Sequence, residues 1–258
     1  MIQKWGVGYD KIDIEEAGKR NIPVMISSGG NSMPVAELTV ALMLDVLRNV
    51  TVQCEKLKEG NWAREQYAAH SYMLHGKTVG LIGMGNIARK VAAIVVRGFG
   101  CNVLYYDLIH LSDEEERKLQ VKSVSLDQLL AESDIVSIHI PLLESTEGMI
   151  DRSKIMLMKQ NACLINTSRG RVVNEQDLVE ALRAKRILGA GLDTFSVEPL
   201  PQNSPLLTME NVIVTPHCGG NTADNDDNMA RICMNLITEY ANSGNANKQA
   251  TVNAAYLR

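Results

Sequence analysis

The chain has 258 residues, of which 45% are hydrophobic and 22% are charged. That length can bury the core of one large domain or of two small ones. The net charge of -4, without any block of lysine or arginine, excludes the charge pattern typical of nucleic-acid-binding proteins and of proteins held on anionic membranes. We therefore expect small molecules or proteins as partners.

The cysteines are scattered, odd in number and without the spacing of a metal-binding set. This pattern predicts no metal site and a reducing, cytoplasmic compartment. No apolar segment reaches the length of a membrane span, and the first residues lack the layout of a signal peptide. We expect no membrane association.

The chain opens with the pattern of a β-α-β unit. IQKW (2–5) predicts a strand, IDIEEAGKRN (12–21) a short helix and IPVMIS (22–27) a second strand. Because IQKW follows no cap or loop, we expect the chain to begin in the middle of a domain.

The stretch 34–59 has apolar residues at helical spacing and predicts one long helix. Ser32 is the expected cap, Pro34 lies in the first turn, and Gly60 marks the end. The helix is apolar on more than one face, which favours contact with a second subunit. A core helix buried within one subunit is the alternative.

After a polar connector (61–77), short β-rich runs alternate with helical stretches. The runs and stretches, in order, are TVGLI, the helix after GMGNIA, NVLYYD, SDEEERKLQ, SLDQLLAES, DIVSIHIP, SKIMLM, ACLINTSRG, NEQDLVEALRAKR, ILGAGLDT and NVIVTPH. This alternation predicts an α/β fold with a Rossmann-like, doubly wound parallel sheet. A last helix follows, and the polar tail (242–253) is expected to be loosely held.

GMGNIA (83–88) is the candidate phosphate-binding motif. It follows a predicted strand and opens a helix, and Asp107 ends the next strand 24 residues after Gly83. In such a unit Gly83 permits a tight turn, Gly85 lets the backbone approach a pyrophosphate, and Ala88 allows close helix packing. Asp107 would accept from the adenosine ribose and repel a 2′-phosphate, which favours NAD over NADP. Turn glycines and a capping aspartate are the alternative interpretation.

Further polar residues follow the predicted strands, where doubly wound sheets bind ligands. They are His139, Pro141, Thr167, Ser168, Arg169, Asp193 and His217. Arg169, Glu198 and His217 form a sensible catalytic set. An arginine can hold a carboxylate, a histidine can exchange a proton near neutral pH, and a carboxylate can orient that histidine. Taken singly, each could be an ordinary surface or loop residue.

Seven stretches run in one order over nearly the whole chain: GVGYDKID, GGNSMPVAELTVALML, GKTVGLIGMGNIA, HIPLLESTEGMI, LINTSRGRVVNEQDLVEAL, GAGLDTFSVEP and VIVTPHCGG. Together they resemble the D-isomer-specific 2-hydroxyacid dehydrogenases, a family that includes D-lactate, D-glycerate, phosphoglycerate and glyoxylate/hydroxypyruvate enzymes. The resemblance implies a cytoplasmic, NAD-dependent enzyme that is usually a homodimer.

The resemblance also implies roles for individual residues. Arg169 would bind substrate, Glu198 would be the partner of His217, and His217 would be the general acid/base. Backbone N–H groups of Val7 and Gly8 would hold the substrate carboxylate. The implied cofactor-binding residues are Gly83, Gly85, Asn86, Ile87, Asp107, His139, Pro141, Thr146, Thr167, Ser168, Asp193, Gly219 and Gly220.

By the same resemblance, residues 1–30 and 226–258 would be the remnant of a flavodoxin-like substrate domain, and residues 31–225 a Rossmann-like NAD-binding domain. Asn86 stands where many relatives carry arginine. The first βα units of the substrate domain would be missing.

Two functions stay open at this stage. One is an oxidoreductase that transfers hydride between NAD(H) and a small 2-hydroxy or 2-keto acid. The other is a non-catalytic NAD-binding module of the corepressor type. Arg169, Glu198 and His217 favour the enzyme, whereas the short substrate domain favours the module. Glu198 disfavours formate dehydrogenase, which has an amide there. A long phosphoglycerate enzyme is disfavoured by the missing regulatory domain.

Overall fold

The computed structural model describes residues 1–257. The chain divides into two compact units. The smaller unit comprises Met1–Val35 and Gly220–Arg258, and the larger unit comprises Ala36–Gly219. No helix among the described residues combines the length and the apolarity needed to cross a bilayer.

All the strands of the described chain are short. In chain order they are β1 (Ile2–Lys4), β2 (Val24–Ile26), β3 (Thr78–Ile82), β4 (Asn102–Tyr106), β5 (Val121–Ser123), β6 (Ile135–Ile138), β7 (Cys163–Asn166), β8 (Gly189–Leu192) and β9 (Val212–Val214). Within residues 1–257, β3 to β9 form a seven-stranded parallel sheet in the order β5-β4-β3-β6-β7-β8-β9. The order reverses between β3 and β6, where doubly wound sheets bind ligands.

Helices connect most of these strands. They are α1 (Ile14–Lys19), α2 (Ser32–Arg48), α3 (Val50–Lys58), α4 (Arg64–Ala68), α5 (Asn86–Phe99), α6 (Asp113–Leu119), α7 (Leu126–Glu132), α8 (Arg152–Ile155), α9 (Glu175–Arg183) and α10 (Ala223–Ser243). Short 3-10 turns occur at Gly170–Val172, Pro205–Thr208 and Ala254–Tyr256.

Apolar side chains cover both faces of the large sheet. One core cluster joins β3 to α2 and α5 through residues such as Leu81, Met43 and Val91. The other joins β6 to α7 and α9, with Leu129 and Leu178 among its fully buried members. Each cluster removes large aliphatic side chains from water, and this burial stabilises the fold by roughly 25 cal/mol per Å² of apolar area. The sheet is therefore held between two helical layers, as the alternating sequence pattern predicts.

The helix predicted over 34–59 is interrupted. It begins at Ser32, so Ser32 is not its cap, and Asn49 separates α2 from α3 with φ 54°. Asp45 accepts hydrogen bonds from both the N–H and the hydroxyl of Thr51, and the Asn49 amide donates to the carbonyl of His70. These bonds compensate for the interrupted helical hydrogen bonds. Asparagine also tolerates the left-handed region better than most residues do.

The smaller unit contains β1 and β2 as a parallel pair, with α1 and α10 beside them. The polar tail is not loosely held, contrary to the prediction. Asn253 is fully buried, its Oδ1 accepts from the N–H of Val24, and its amide donates to the carbonyls of Ile14 and Ile22. The tail therefore satisfies backbone groups that β2 and its neighbours would otherwise leave unpaired.

Candidate active site

The glycine motif lies between β3 and α5, at the point where the strand order reverses. Gly83 has φ 91°, and an added Cβ would meet the carbonyl oxygen of His139 at 2.8 Å, so a larger residue would be strained there. Gly85 is the N-cap of α5, and an added Cβ there would meet no atom within 4 Å. The backbone at Gly85 is thus open to a ligand. The first turn of α5, which contains Asn86 and Ile87, presents N–H groups suited to an anion.

Asp107 lies beside this loop, directly after β4. Its Oδ2 accepts from the N–H of Met84 at 2.6 Å, and its Oδ1 accepts from the N–H of Ile109 at 2.9 Å. An ionised carboxylate offers about four acceptor positions, so capacity remains for hydroxyl groups. An open glycine, a helix N-terminus and a carboxylate at the end of the second strand together fit the pyrophosphate and adenosine ribose of a dinucleotide.

His139, Pro141 and Thr146 belong to the segment that leaves β6. The His139 ring lies 2.9 Å from the hydroxyl of Ser137, measured from Nε2 to Oγ, and burial lowers the pKa of His139 to about 4. It is a neutral residue at ordinary pH. The Thr146 hydroxyl donates to the carbonyl of Pro141 at 2.7 Å and accepts from the N–H of Leu143 at 2.8 Å, so it shapes this segment.

The segment after β7 is held by the buried side chain of Asn166. Its Oδ1 accepts from the N–H and hydroxyl of Ser168 at 3.0 and 2.8 Å, and its amide donates to the carbonyl of Arg169 at 2.9 Å. The hydroxyls of Thr167 and Thr39 are 2.9 Å apart. The half-buried Arg169 therefore extends from a backbone with a defined conformation.

His217 and Glu198 form an ion pair if the histidine is protonated. His217 Nδ1 and Glu198 Oε2 are 2.8 Å apart, and Glu198 Oε1 accepts from the N–H of Phe195 at 3.2 Å. The His217 side chain is 45% exposed, so its ring can meet a ligand in solution. An apolar pocket of about 620 Å³ adjoins the pair. Its lining comprises Phe195, Glu198, Pro199, Leu200, Leu207, Val214, Thr215, Pro216 and His217.

The loop that carries His217 is organised around the carboxylate of Asp193, which is buried. Asp193 Oδ1 accepts from the Thr215 hydroxyl at 2.6 Å and from the N–H of Cys218 at 2.9 Å, while Oδ2 accepts from the N–H of Gly219 at 2.9 Å. His217 itself has φ 51°. Three hydrogen bonds to one carboxylate thus bracket a residue in an unfavourable backbone conformation.

Arg169, Asp193, Glu198 and His217 follow three neighbouring strands, β7, β8 and β9. Gly170 lies against the backbone of Phe195, where an added Cβ would come within 1.9 Å of its carbonyl carbon. The arginine segment and the segment before Glu198 are therefore in direct contact. The larger unit thus places the candidate catalytic residues at one edge of its sheet.

The remaining predicted residues, Val7, Gly8 and Gly220, belong to the smaller unit. Val7 and Gly8 are partly exposed, and Gly6 precedes them with φ 102°. A Cβ added at Gly220 would meet the Asn31 amide nitrogen at 3.1 Å. Their proposed contacts with ligands stay predictions.

Two features of this edge were not predicted from the sequence. Asn166 was not singled out, although it holds the arginine segment, and Asp193 was assigned only a cofactor contact, although it organises the histidine loop. Strand-end position was the available signal for both residues. Among residues 1–257, no group of three or more histidine, cysteine, aspartate or glutamate residues is arranged to hold a metal ion.

Residues 40–219 match the family described as "D-isomer specific 2-hydroxyacid dehydrogenase, NAD binding domain". A glyoxylate reductase of Korarchaeum cryptofilum is 40% identical over 240 residues, which cover 92% of this chain and 72% of the relative. A hydroxypyruvate reductase of Thermotoga maritima is 39% identical over 226 residues, which cover 87% of this chain and 72% of the relative.

A solved structure shows the same fold. It is an NAD-dependent formate dehydrogenase from Staphylococcus aureus in complex with NAD, with a TM-score of 0.87 and 32% identity. The match covers 97% of this chain and 74% of that chain. The Rossmann-like fold, the family resemblance and NAD as cofactor, all predicted from the sequence, are therefore confirmed. The family favours the enzyme over the non-catalytic module. This chain belongs to the D-isomer-specific 2-hydroxyacid dehydrogenases, which are NAD-dependent oxidoreductases.

Proposed function

We propose that this chain reduces small 2-keto acids to D-2-hydroxy acids with NADH, with glyoxylate and hydroxypyruvate as the first candidates. Relatives at 39% and 40% identity carry the names of these two activities. The observation that carries the proposal is the 2.8 Å contact between His217 Nδ1 and Glu198 Oε2. It occupies one ring nitrogen and leaves Nε2 available for proton exchange with a substrate.

Each site residue has its own proposed role in the reaction. When bound, NADH supplies the hydride that reduces the keto carbon. His217 donates a proton from Nε2 to the keto oxygen, which becomes the hydroxyl. Glu198 stabilises the protonated imidazole through its opposite charge. Arg169 offers guanidinium N–H donors to the substrate carboxylate and to the oxygen on which negative charge develops.

The remaining site residues are proposed to bind ligands. Gly83, Gly85, Asn86 and Ile87 would receive the pyrophosphate, and Asp107 would accept from the ribose. Asp193, Gly219 and Gly220 would lie on the nicotinamide side of the cofactor. The further cofactor contacts that we propose are His139, Pro141, Thr146, Thr167 and Ser168. Val7 and Gly8 would donate backbone N–H groups to the substrate carboxylate.

The test is NADH oxidation, followed by its near-ultraviolet absorbance, with glyoxylate, hydroxypyruvate, pyruvate and a branched 2-keto acid. We expect His217→Ala to lower kcat by at least about a hundredfold, because general acid catalysis contributes that much or more. His75→Ala, a change at an exposed histidine outside the site, is the matched control. Equal rates in both variants would exclude His217 as the acid.

We also propose that the chain forms a homodimer. Four large apolar side chains in the segment 50–73 are exposed: Val50 and Leu57 at 55%, Trp62 at 77% and Met73 at 68%. Val50 and Leu57 lie within the stretch 34–59 that is predicted to contact a second subunit, and exposed apolar surface supports such an interface. Sedimentation velocity should show a dimer that Leu57→Lys weakens and Ile109→Lys, an equally drastic change elsewhere, does not. A monomeric wild-type protein would refute the dimer. The cytoplasmic location stays a prediction.

A further inference from the structure

The positively charged side chain of Arg89 lies beside the contact between Asp107 and the glycine motif. Arg89, in the first turn of α5, donates from Nε to the carbonyl of Met84 at 3.2 Å. The N–H of the same Met84 donates to Asp107 Oδ2 at 2.6 Å. The guanidinium of Arg89 and the carboxylate of Asp107 are thus hydrogen-bonded to the carbonyl and the N–H of the same residue.

Glu115 forms an ion pair with the guanidinium of Arg89. Arg89 Nη1 and Glu115 Oε1 are 2.7 Å apart, and the two side chains are 37% and 45% exposed. The other carboxylate oxygen, Oε2, accepts from the N–H and the hydroxyl of Ser112, which completes a capping box at the start of α6. Hydrogen bonds from Arg89 and Ser112 lower the pKa of Glu115 to about 2, so it stays ionised at ordinary pH.

Helix α6 is firmly placed. Its Glu116 accepts from the phenol of Tyr105 at 2.7 Å, and the same phenol oxygen accepts from the N–H of Leu111 at 3.0 Å. Tyr105 belongs to β4, the strand that ends at Asp107. The position of Glu115 is therefore determined by the capping box and by a contact with the sheet, and not only by its ion pair with Arg89.

This arrangement bears on the choice of cofactor. A 2′-phosphate carries a charge of about -1.5 to -2 and forms its strongest hydrogen bonds with arginine. Removal of Asp107 alone would leave Arg89 still neutralised. We propose that Glu115 is a second specificity-determining residue, which excludes NADP by keeping the guanidinium of Arg89 from the 2′-phosphate.

The inference depends on the proposed adenosine site at Asp107, so the test measures that site directly. We would titrate 5′-AMP and 2′,5′-ADP calorimetrically into the full chain, and NADH and NADPH by fluorescence. The starting variant is Asp107→Ser, which removes the first carboxylate. Glu115→Gln is then added, because glutamine can keep the capping box while it loses the charge.

The matched control is Glu114→Gln, which removes one charge from the same turn at an exposed position outside the Arg89 contact. In the Asp107→Ser background we expect Glu115→Gln to raise the affinity for 2′,5′-ADP relative to 5′-AMP about tenfold, as one charge-assisted hydrogen bond would. Glu114→Gln should change this ratio less than about twofold, since exposed charges are screened. Addition of Arg89→Met should abolish the gain.

Two results would overturn the inference. Equal effects of Glu115→Gln and Glu114→Gln would indicate general electrostatics, and a gain that survives Arg89→Met would exclude Arg89 as the phosphate ligand. Failure of the wild-type chain to bind NADH is a different outcome, since it would refute the proposed cofactor site and the inference with it. Circular dichroism of each variant checks that the overall fold is retained.

Discussion

Asp193 accepts three hydrogen bonds from residues 215–219, and His217 lies among them with φ 51°. A residue other than glycine costs about 1–2 kcal/mol in this left-handed region. The bonds to a buried carboxylate offset that cost. Asp193 therefore acts as a positioning residue for the proposed acid, whether or not it also contacts the nicotinamide.

Replacement of Asp193 by asparagine tests this role. An amide nitrogen cannot accept a hydrogen bond, so at least one of the three donors loses its partner, at about 1–3 kcal/mol of stability. Because a small misplacement of a catalytic group costs about a hundredfold in rate, we expect kcat to fall by about that factor. Steady-state kinetics and urea unfolding measure the two effects. Asp227→Asn, an exposed helix residue, is the control, and an unchanged kcat in Asp193→Asn would refute the positioning role.

His139 makes the stability of the folded chain depend on pH. Its pKa in the folded chain is about 4, below the ordinary value of 6.5, because burial disfavours the charged ring. Between these two values the unfolded chain binds more protons, so stability falls as the pH falls from 6.5 towards 4.

Between pH 7 and pH 5, protonation of His139 in the unfolded state should lower the free energy of unfolding by about 2 kcal/mol. The variant His139→Gln lacks this contribution, and the stabilities of the wild type and the variant should converge as the medium is acidified. Urea titrations at both pH values measure the difference. The exposed His75→Gln variant should keep the wild-type pH dependence. A parallel decline in His139→Gln would assign the effect to other groups.

The sequence predicted the positions of the site residues better than their contacts. His139, Arg169, Asp193 and His217 could be found because parallel strands end at one edge of a sheet. The roles of Asn166 and Asp193 in holding loops depend on distances of 2.6 to 3.0 Å, which no spacing in a sequence contains. The Arg89–Glu115 pair could not be predicted for the same reason, since 26 residues separate its members.

Strands and helices with a clear period were predicted well. β3 and β4 lie where TVGLI and NVLYY place them, and α5 covers the predicted helix but begins at Asn86, inside GMGNIA. The interruption at Asn49 was missed because the apolar period of 34–59 continues across it, while one left-handed residue redirects the backbone. Helix α4 lies within the predicted connector (61–77). Only five residues long, it has too few turns to show a period.

The polar tail (242–253) shows a case in which composition predicts the wrong behaviour. Its polar composition predicts a loose segment, yet Asn253 is buried and bonds three backbone groups of the smaller unit. A side chain with two donors and an acceptor can replace backbone partners wherever strands are short. Composition alone does not distinguish a polar segment that faces water from one that satisfies such groups.

Because the chain divides into two units, a bound cofactor should stabilise one unit more than the other. The glycine motif, Asp107 and the candidate catalytic residues belong to the larger unit, whereas β1 and β2 belong to the smaller one. A ligand stabilises the part of a protein whose folded form it binds. The two units should therefore respond differently to cofactor if they open independently.

Hydrogen exchange followed by mass spectrometry tests this difference. At NADH a hundred times above its Kd, binding adds about 2.7 kcal/mol to the unit that holds the cofactor, which slows exchange by sub-global opening about a hundredfold. We expect this protection in β3, β4 and β6, and little change in β1 and β2. The variant Asp107→Ala should lose most of the protection at the same NADH concentration. Equal protection of β2 and β3 in the wild type would show instead that the two units unfold as one cooperative structure, because a ligand then stabilises every amide that exchanges only through global unfolding.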